Sequence, residues 1–135
     1  MSTTSLRKDH ELIEKVIKAM QSTIQLLNDK KQIPEFILLP VIDFSKNFTD
    51  VCHHTKEEKS LFPALEQAGM PSKMGPIAMM LIDHERSREI GNEMEISAKE
   101  YLSSGNSEKL ISDMQLYVDH ITEHLWKENN KLFMM

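Results

Sequence analysis

A chain of 135 residues with a net charge of −5 is long enough to bury one hydrophobic core and too short for two typical domains. The acidic balance disfavours nucleic acid and anionic membranes as partners, and the single cysteine, Cys52, excludes an internal disulfide. No apolar run approaches the ~18 residues of a membrane-spanning helix, and residues 1–10 lack a signal-peptide core. We therefore expect one domain over residues 1–135, located in the cytoplasm.

Four helices are predicted in chain order, because apolar residues recur at steps of three and four while Gly and Pro collect between these runs. No segment alternates with a period of two over a useful length, so the predicted fold class is an all-α antiparallel bundle. The helices are expected over residues 4–28, from Pro34 to the segment 67–76, over 76–102 and over 107–133, with Pro40 kinking the second helix or separating its first turns. The predicted inward positions are Leu6, His10, Ile13, Ile17, Met20, Ile24, Leu27, Ile37, Val41, Phe44, Phe48, Val51, Ile77, Met80, Leu81, His84, Met94, Leu110, Met114, Tyr117, Ile121 and His124.

An internal repeat relates the two halves of the chain. His53 and Glu57 stand four residues apart in the second predicted helix, and His124 and Glu128 do so in the fourth. A Leu-Phe pair begins four residues after each of these glutamates. Residues four apart share one helical face, so each pair can direct two donor atoms toward one point.

A second repeated element is the tripeptide Asp-His-Glu, which places His10 in the first predicted helix and His84 in the third. Imidazole and carboxylate ligands without thiolate suit iron, manganese or zinc, and a carboxylate can bridge two ions. A buried carboxylate is costly unless it is paired or bound to a metal. The sequence therefore predicts a metal site inside the bundle, with the candidate ligands His10, His53, Glu57, His84, His124 and Glu128.

Two alternatives stay open at this point. His54 and Glu58 have the same spacing as the chosen pair, and His54 stands three residues after the apolar Val51, so this pair is a second possible register. The other alternative is that the His–Glu pairs are exposed helix contacts worth about 0.2–0.5 kcal/mol each and bind no metal. That alternative does not explain the repeated Asp-His-Glu tripeptide.

The segments HHTKEEKSLFP and HLWKENNKLF, together with the two Asp-His-Glu tripeptides, resemble the hemerythrin-like family, also called the HHE cation-binding domain. The resemblance covers nearly the whole chain and implies an up-down-up-down four-helix bundle. It also implies two iron ions (Fe2+/Fe3+) joined by an oxo or hydroxo bridge. By this resemblance the six candidates are the iron ligands, and Glu57 and Glu128 are the bridging carboxylates.

One position departs from the oxygen-carrying hemerythrins, which have a fifth histidine one turn along the third helix. Four residues after His84 this chain has Arg88, which cannot ligate iron. His120, one turn before His124, is a candidate replacement or else a histidine that lines a channel or supports a ligand. On the same face, Tyr117 can donate a hydrogen bond to a bound oxygen ligand or pack in the core.

The leading functional expectation is a binding protein that takes up O2, NO or another small diatomic ligand at an open coordination position, for oxygen binding, storage or sensing. A sensor would need a protein partner. One rival is a di-iron oxidoreductase that reduces peroxide or oxygen, or a donor of iron for repair of iron–sulfur clusters. A second rival is a non-redox bundle that holds zinc or manganese.

Overall fold

The computed structural model describes residues 3–45, 47, 57–69 and 76–127. Every regular element in these ranges is helical, which confirms the predicted all-α class. Residues 46, 48–56 and 128–135, parts of the second and fourth predicted helices, lie outside the described residues. The elements are α1 (Thr3–Asn28), α2 (Glu35–Phe44), a π-helical turn (Glu57–Leu61), α3 (Phe62–Gln67), α4 (Pro76–Ser104) and α5 (Glu108–Lys127).

Four of the helices form a bundle. α1 packs against α2 and α5, and α4 packs against the same two helices. The connections are short, six residues from α1 to α2 and three from α4 to α5, so each pair of consecutive helices runs antiparallel. None of the described helices combines the length and the apolar character needed to cross a bilayer.

The two short connections meet at one end of the bundle. The hydroxyl of Tyr101 on α4 accepts a hydrogen bond of 3.0 Å from the backbone N–H of Ile33, which precedes α2. Lys30 and Gly105 both adopt positive φ angles, 63° and 80°, where the chain leaves α1 and α4. A left-handed residue at this place lets the chain turn away from a helix, and glycine adopts it without a steric penalty. His10, His84 and His124 lie in the halves of their helices that are far from this end.

The predicted inward stripes of α1 and α5 are confirmed. Both stripes combine the three- and four-residue steps of an amphipathic helix, and their side chains meet in one core. The described members are His10, Ile13, Ile17, Met20, Ile24, Leu27, Leu110, Met114, Tyr117, Ile121 and His124, all of which are buried.

The inward face predicted for α2 is wrong at Ile37, whereas the predicted Val41 and Phe44 are partly buried and pack against the core. Ile37 is 46% exposed, whereas Leu38 and Ile42 are buried. Pro40 faces solvent in the middle of the helix, which continues through it, and Pro34 is the N-cap residue. A proline leaves one backbone carbonyl without its helical partner, and water can bond that carbonyl when the proline faces outward. The opposite face of α2, carrying Leu38 and Ile42, then packs inward.

In α4 the prediction is wrong at Leu81, which is exposed. The next-door Met80 occupies the inward stripe, and Leu81 lies about 100° further round the helix. The buried stripe of α4 is Ile77, Met80, His84, Ser87, Gly91, Met94, Ala98 and Tyr101.

Candidate metal centre

The π-helical turn brings two consecutive glutamates to one histidine. Glu57 Oε1 lies 3.4 Å from Nε2 of His84, and Glu58 Oε2 lies 3.3 Å from Nδ1 of the same ring. Glu57 is fully buried, and Glu58 is partly exposed. A π-helical turn closes with i→i+5 hydrogen bonds, is rare, and is frequent at functional sites. Here it lets neighbouring residues contact both nitrogen edges of one imidazole.

Three buried side chains form a cluster suited to a metal ion. One ligand atom from each of Glu57, His84 and His124 lies within 4.8 Å of the others. The two imidazole rings are 4.9 Å apart between centroids. Ligand atoms bound at ~2.1 Å to one ion are roughly 3–4 Å apart, so small movements bring these three atoms to a common ion.

The outer nitrogen of His84 is fixed by a carboxylate and an arginine. Glu58 lies on Nδ1, and Arg88 Nη2 donates a hydrogen bond of 2.6 Å to the same Glu58 oxygen. An ionised carboxylate only accepts, so this contact assigns the proton to Nδ1. Nε2 then presents its lone pair to Glu57. A carboxylate on the outer nitrogen of a ligand histidine orients the ring and makes it a stronger metal ligand.

His124 is fixed in the same manner by Asp83 of α4. Its Nδ1 lies 3.2 Å from Asp83 Oδ2, which also accepts from Lys127 Nζ at 3.4 Å. Burial raises the pKa of Asp83, but the hydrogen bonds and charges of His124 and Lys127 outweigh it and hold that pKa below its usual value. Burial lowers the pKa of His124 although Asp83 opposes this effect. A lowered pKa favours the neutral imidazole, which is the form that binds metals.

The chemistry of the cluster fits a cation. With Nδ1 protonated, Nε2 of His84 and the Glu57 carboxylate are both electron-pair donors, yet they lie 3.4 Å apart in a region closed to water. A buried carboxylate beside neutral imidazoles is costly without a positive charge. A metal ion bound between these groups would supply positive charge.

The structure brings together only some of the predicted ligands among the described residues. Glu57, His84 and His124 share the cluster, and His10 on α1 is buried. Glu58 lies at the outer edge of His84. His53, His54 and Glu128 lie outside the described residues. The six-ligand set therefore stays a prediction.

His120 and Tyr117 make contacts other than coordination. His120 Nε2 lies 3.0 Å from the backbone carbonyl of Asp83, which only accepts, so this nitrogen is the donor. The His120 ring is nearly parallel to that of His124, with centroids 6.5 Å apart. The Tyr117 hydroxyl donates a hydrogen bond of 3.2 Å to the Ser45 carbonyl inside the core. Of the two alternatives for Tyr117, its contacts favour core packing.

Sequence reasoning missed three residues that support the cluster. Asp83 was part of a repeated tripeptide but received no role, Lys127 was not singled out, and Arg88 was noted only as a missing ligand. A signal was present, since a cation follows each histidine by one turn: Arg88 by four residues and Lys127 by three. Its meaning depends on which carboxylate lies opposite, which only the packing reveals.

Comparison with known proteins supports the same chemistry. Searches of curated proteins and of solved structures found no match. The family model of the hemerythrin HHE cation binding domain matches residues 1–135. A match over the whole length, on a helical bundle with a buried His/Glu cluster, shows that this chain belongs to the hemerythrin HHE cation-binding domain family.

Proposed function

We propose that this protein holds two iron ions, joined by an oxo or hydroxo bridge, and binds O2 or NO at an open coordination position for oxygen binding, storage or sensing. The family binds metal cations, usually iron. The observation that carries the proposal is the arrangement of His84 and His124, two buried imidazoles whose Nδ1 atoms face carboxylates and which form one cluster with Glu57. Iron in such a site supplies reversible binding of a small ligand when it is reduced.

The residues around the cluster have definable tasks in this proposal. Glu58 and Asp83 keep the two imidazoles in the tautomer that binds metal. The surrounding core, with Met80 and Ile121 almost fully buried, excludes water from the ions. The proposed ligands are His10, His53, Glu57, His84, His124 and Glu128, with Glu57 and Glu128 as bridges.

Metal analysis and visible spectroscopy of protein purified without oxygen test this proposal. Two irons per chain, with a charge-transfer band that forms in air and disappears on deoxygenation, are the expected result. A stable di-ferric product that does not revert would instead favour an oxidoreductase or a sensor. Zinc or manganese without redox chemistry would overturn the iron assignment.

Two ligand variants extend this test to residues beyond the described ranges. His53→Ala and Glu128→Ala are each expected to abolish binding of a second ion while most helix content remains. Glu123→Ala is a matched control, because this glutamate neighbours His124 and its side chain is 70% exposed. Two ions per chain in both ligand variants, by metal analysis beside circular dichroism, would contradict the assignment.

A further inference from the structure

Ser87 is a buried polar group in the apolar inward stripe of α4. Its side chain is 4% exposed, and its hydroxyl makes no hydrogen bond to any residue that the structure describes. Buried hydroxyls in proteins are nearly always hydrogen-bonded, so an exception calls for a partner such as a water or a ligand. Ser87 stands three residues after His84, which is a candidate ligand of the metal centre.

Three other buried serine and threonine hydroxyls on these helices bond to a carbonyl of their own helix. Thr23 donates to the carbonyl four residues back, Ser45 does the same, and Ser97 donates to the carbonyl three residues back. These hydrogen bonds are 2.9–3.1 Å long. Such bonds are the usual local solution for serine and threonine inside a helix. Ser87 departs from this rule although it lies in a regular helix.

The corresponding carbonyl for Ser87 is already used. Four residues back is Asp83, whose backbone oxygen is the hydrogen-bond acceptor for His120 Nε2 at 3.0 Å. The same oxygen is the helical acceptor for the backbone N–H of Ser87. A carbonyl has two lone pairs, and these two donors fill both. His120 thus competes with the Ser87 hydroxyl for the Asp83 carbonyl, and the structure shows no bond from this hydroxyl to its own helix.

Ser87 shares the buried face of α4 with His84. Residues three apart on a helix are neighbours on one face, with Cβ atoms about 5–6 Å apart. Side chains also lean toward the N-terminus of their helix, which here is the turn that carries His84. One turn further on along the same face, Gly91 is also buried.

We propose that the Ser87 hydroxyl donates a hydrogen bond to the small ligand bound at the metal centre. This inference rests on the proposed function, since the ligand is an exogenous diatomic or small anion with an acceptor atom away from the metal. His120 is then a positioning residue, because it occupies the Asp83 carbonyl. The hydrogen bond favours ligands with a charged or polar outer atom over apolar ones of the same size.

Azide binding to the iron-loaded protein tests the inference directly. Azide is a linear anion whose outer nitrogen accepts hydrogen bonds, and a ferric–azide charge-transfer band reports its binding. Ser87→Ala is expected to weaken azide binding by about tenfold, the effect of losing one hydrogen bond to a charged ligand. Ser87→Thr, which retains the hydroxyl, is expected to restore most of the affinity.

Ser97→Ala is the matched control. Ser97 is buried on the same helix, ten residues on, and its hydroxyl is bonded to Met94. Its azide affinity should equal that of the unmodified protein. In infrared spectra, the stretch of bound azide should shift between H2O and D2O, and Ser87→Ala should reduce this shift.

Thermal unfolding of the metal-free protein gives a second readout. Ser87→Ala should unfold no earlier than the unmodified chain, because it removes a buried hydroxyl that has no protein partner. A loss of several degrees would show that the hydroxyl bonds to the protein and would overturn the inference.

The outcomes separate the two proposals. Two irons per chain in every variant with equal azide affinity would overturn the role of Ser87 and leave the proposed function intact. Failure of the unmodified protein to take up iron would overturn the proposed function, and the role of Ser87 with it.

Discussion

His84 and His124 are held by two similar sets of contacts whose strengths differ. Each turns Nδ1 to a carboxylate on a neighbouring element, at 3.3 Å for Glu58 and 3.2 Å for Asp83. In each case a cation one turn along the histidine's own helix contacts the same carboxylate oxygen. Arg88 does so at 2.6 Å, whereas Lys127 does so at 3.4 Å.

The two carboxylates also differ in the other contacts that hold their residues in place. Asp83 precedes His84 on a long regular helix, and His120 of α5 also bonds its backbone carbonyl. Glu58 belongs to a five-residue π-helical turn, so its side chain depends more on Arg88. A guanidinium is also a more directional partner for a carboxylate than an ammonium. The position that holds a fifth histidine in the oxygen-carrying hemerythrins is therefore occupied here by Arg88, the cation that contacts Glu58.

The largest effects are expected when either histidine of the cluster is removed. His84→Ala and His124→Ala should each remove at least one bound ion, because each deletes a candidate ligand atom of the buried cluster. Most of the helix content should remain, since the rest of the core is unchanged. Metal analysis beside circular dichroism checks this. Full metal content in either variant would contradict the cluster as a binding site.

Intermediate effects are expected when the charges of the two carboxylates, Glu58 and Asp83, are removed. Glu58→Gln and Asp83→Asn keep the shape of each side chain but remove its charge. We expect each to lower metal affinity by about 10–100-fold, as is typical for groups that orient ligand histidines. Competition with a chelator of known affinity measures the change. Unchanged affinity in both variants would mean that neither carboxylate supports its histidine.

The smallest effects are expected when the cations that contact the two carboxylates are removed. Arg88→Met should weaken metal binding by several-fold, and Lys127→Met by about twofold, because the longer and weaker contact loses less. The same chelator competition measures both. Arg86→Met is the control, since Arg86 is 54% exposed and pairs with Glu89 away from the cluster. A larger loss of affinity for Lys127→Met than for Arg88→Met would contradict this order.

The sequence was sufficient for the parts of the fold that follow helical periodicity. The stripes of α1 and α5 could be predicted because their burial repeats every three or four residues. In α2 the same reasoning chose Ile37, because periodicity alone does not show that Pro40 must face solvent. Periodicity also cannot foresee that a π-helical turn sends Glu57 to the cluster and Glu58 to the outer nitrogen of His84.

For the candidate site, spacing could identify residues but not their partners. The four-residue step pointed to Glu57 and His124, and the repeated tripeptide pointed to His84. The contacts of Asp83 with α5, and of Arg88 with Glu58, join residues 30 or more positions apart in sequence. Such contacts depend on how helices pack, which no local pattern specifies.

The hydrogen bond between Ile33 and Tyr101 has a consequence for the motions of the molecule. It joins the connection before α2 to the last turn of α4 at one end of the bundle, whereas the cluster lies toward the other end. A bound ion stabilises only those opening reactions that disrupt its site. Amide protons beside His10 and His124 should therefore exchange more slowly on metal loading, while those near Tyr101 gain protection only where they exchange through complete unfolding. Metal binding would then suppress partial opening at the cluster end. That end would open only when the whole protein unfolds.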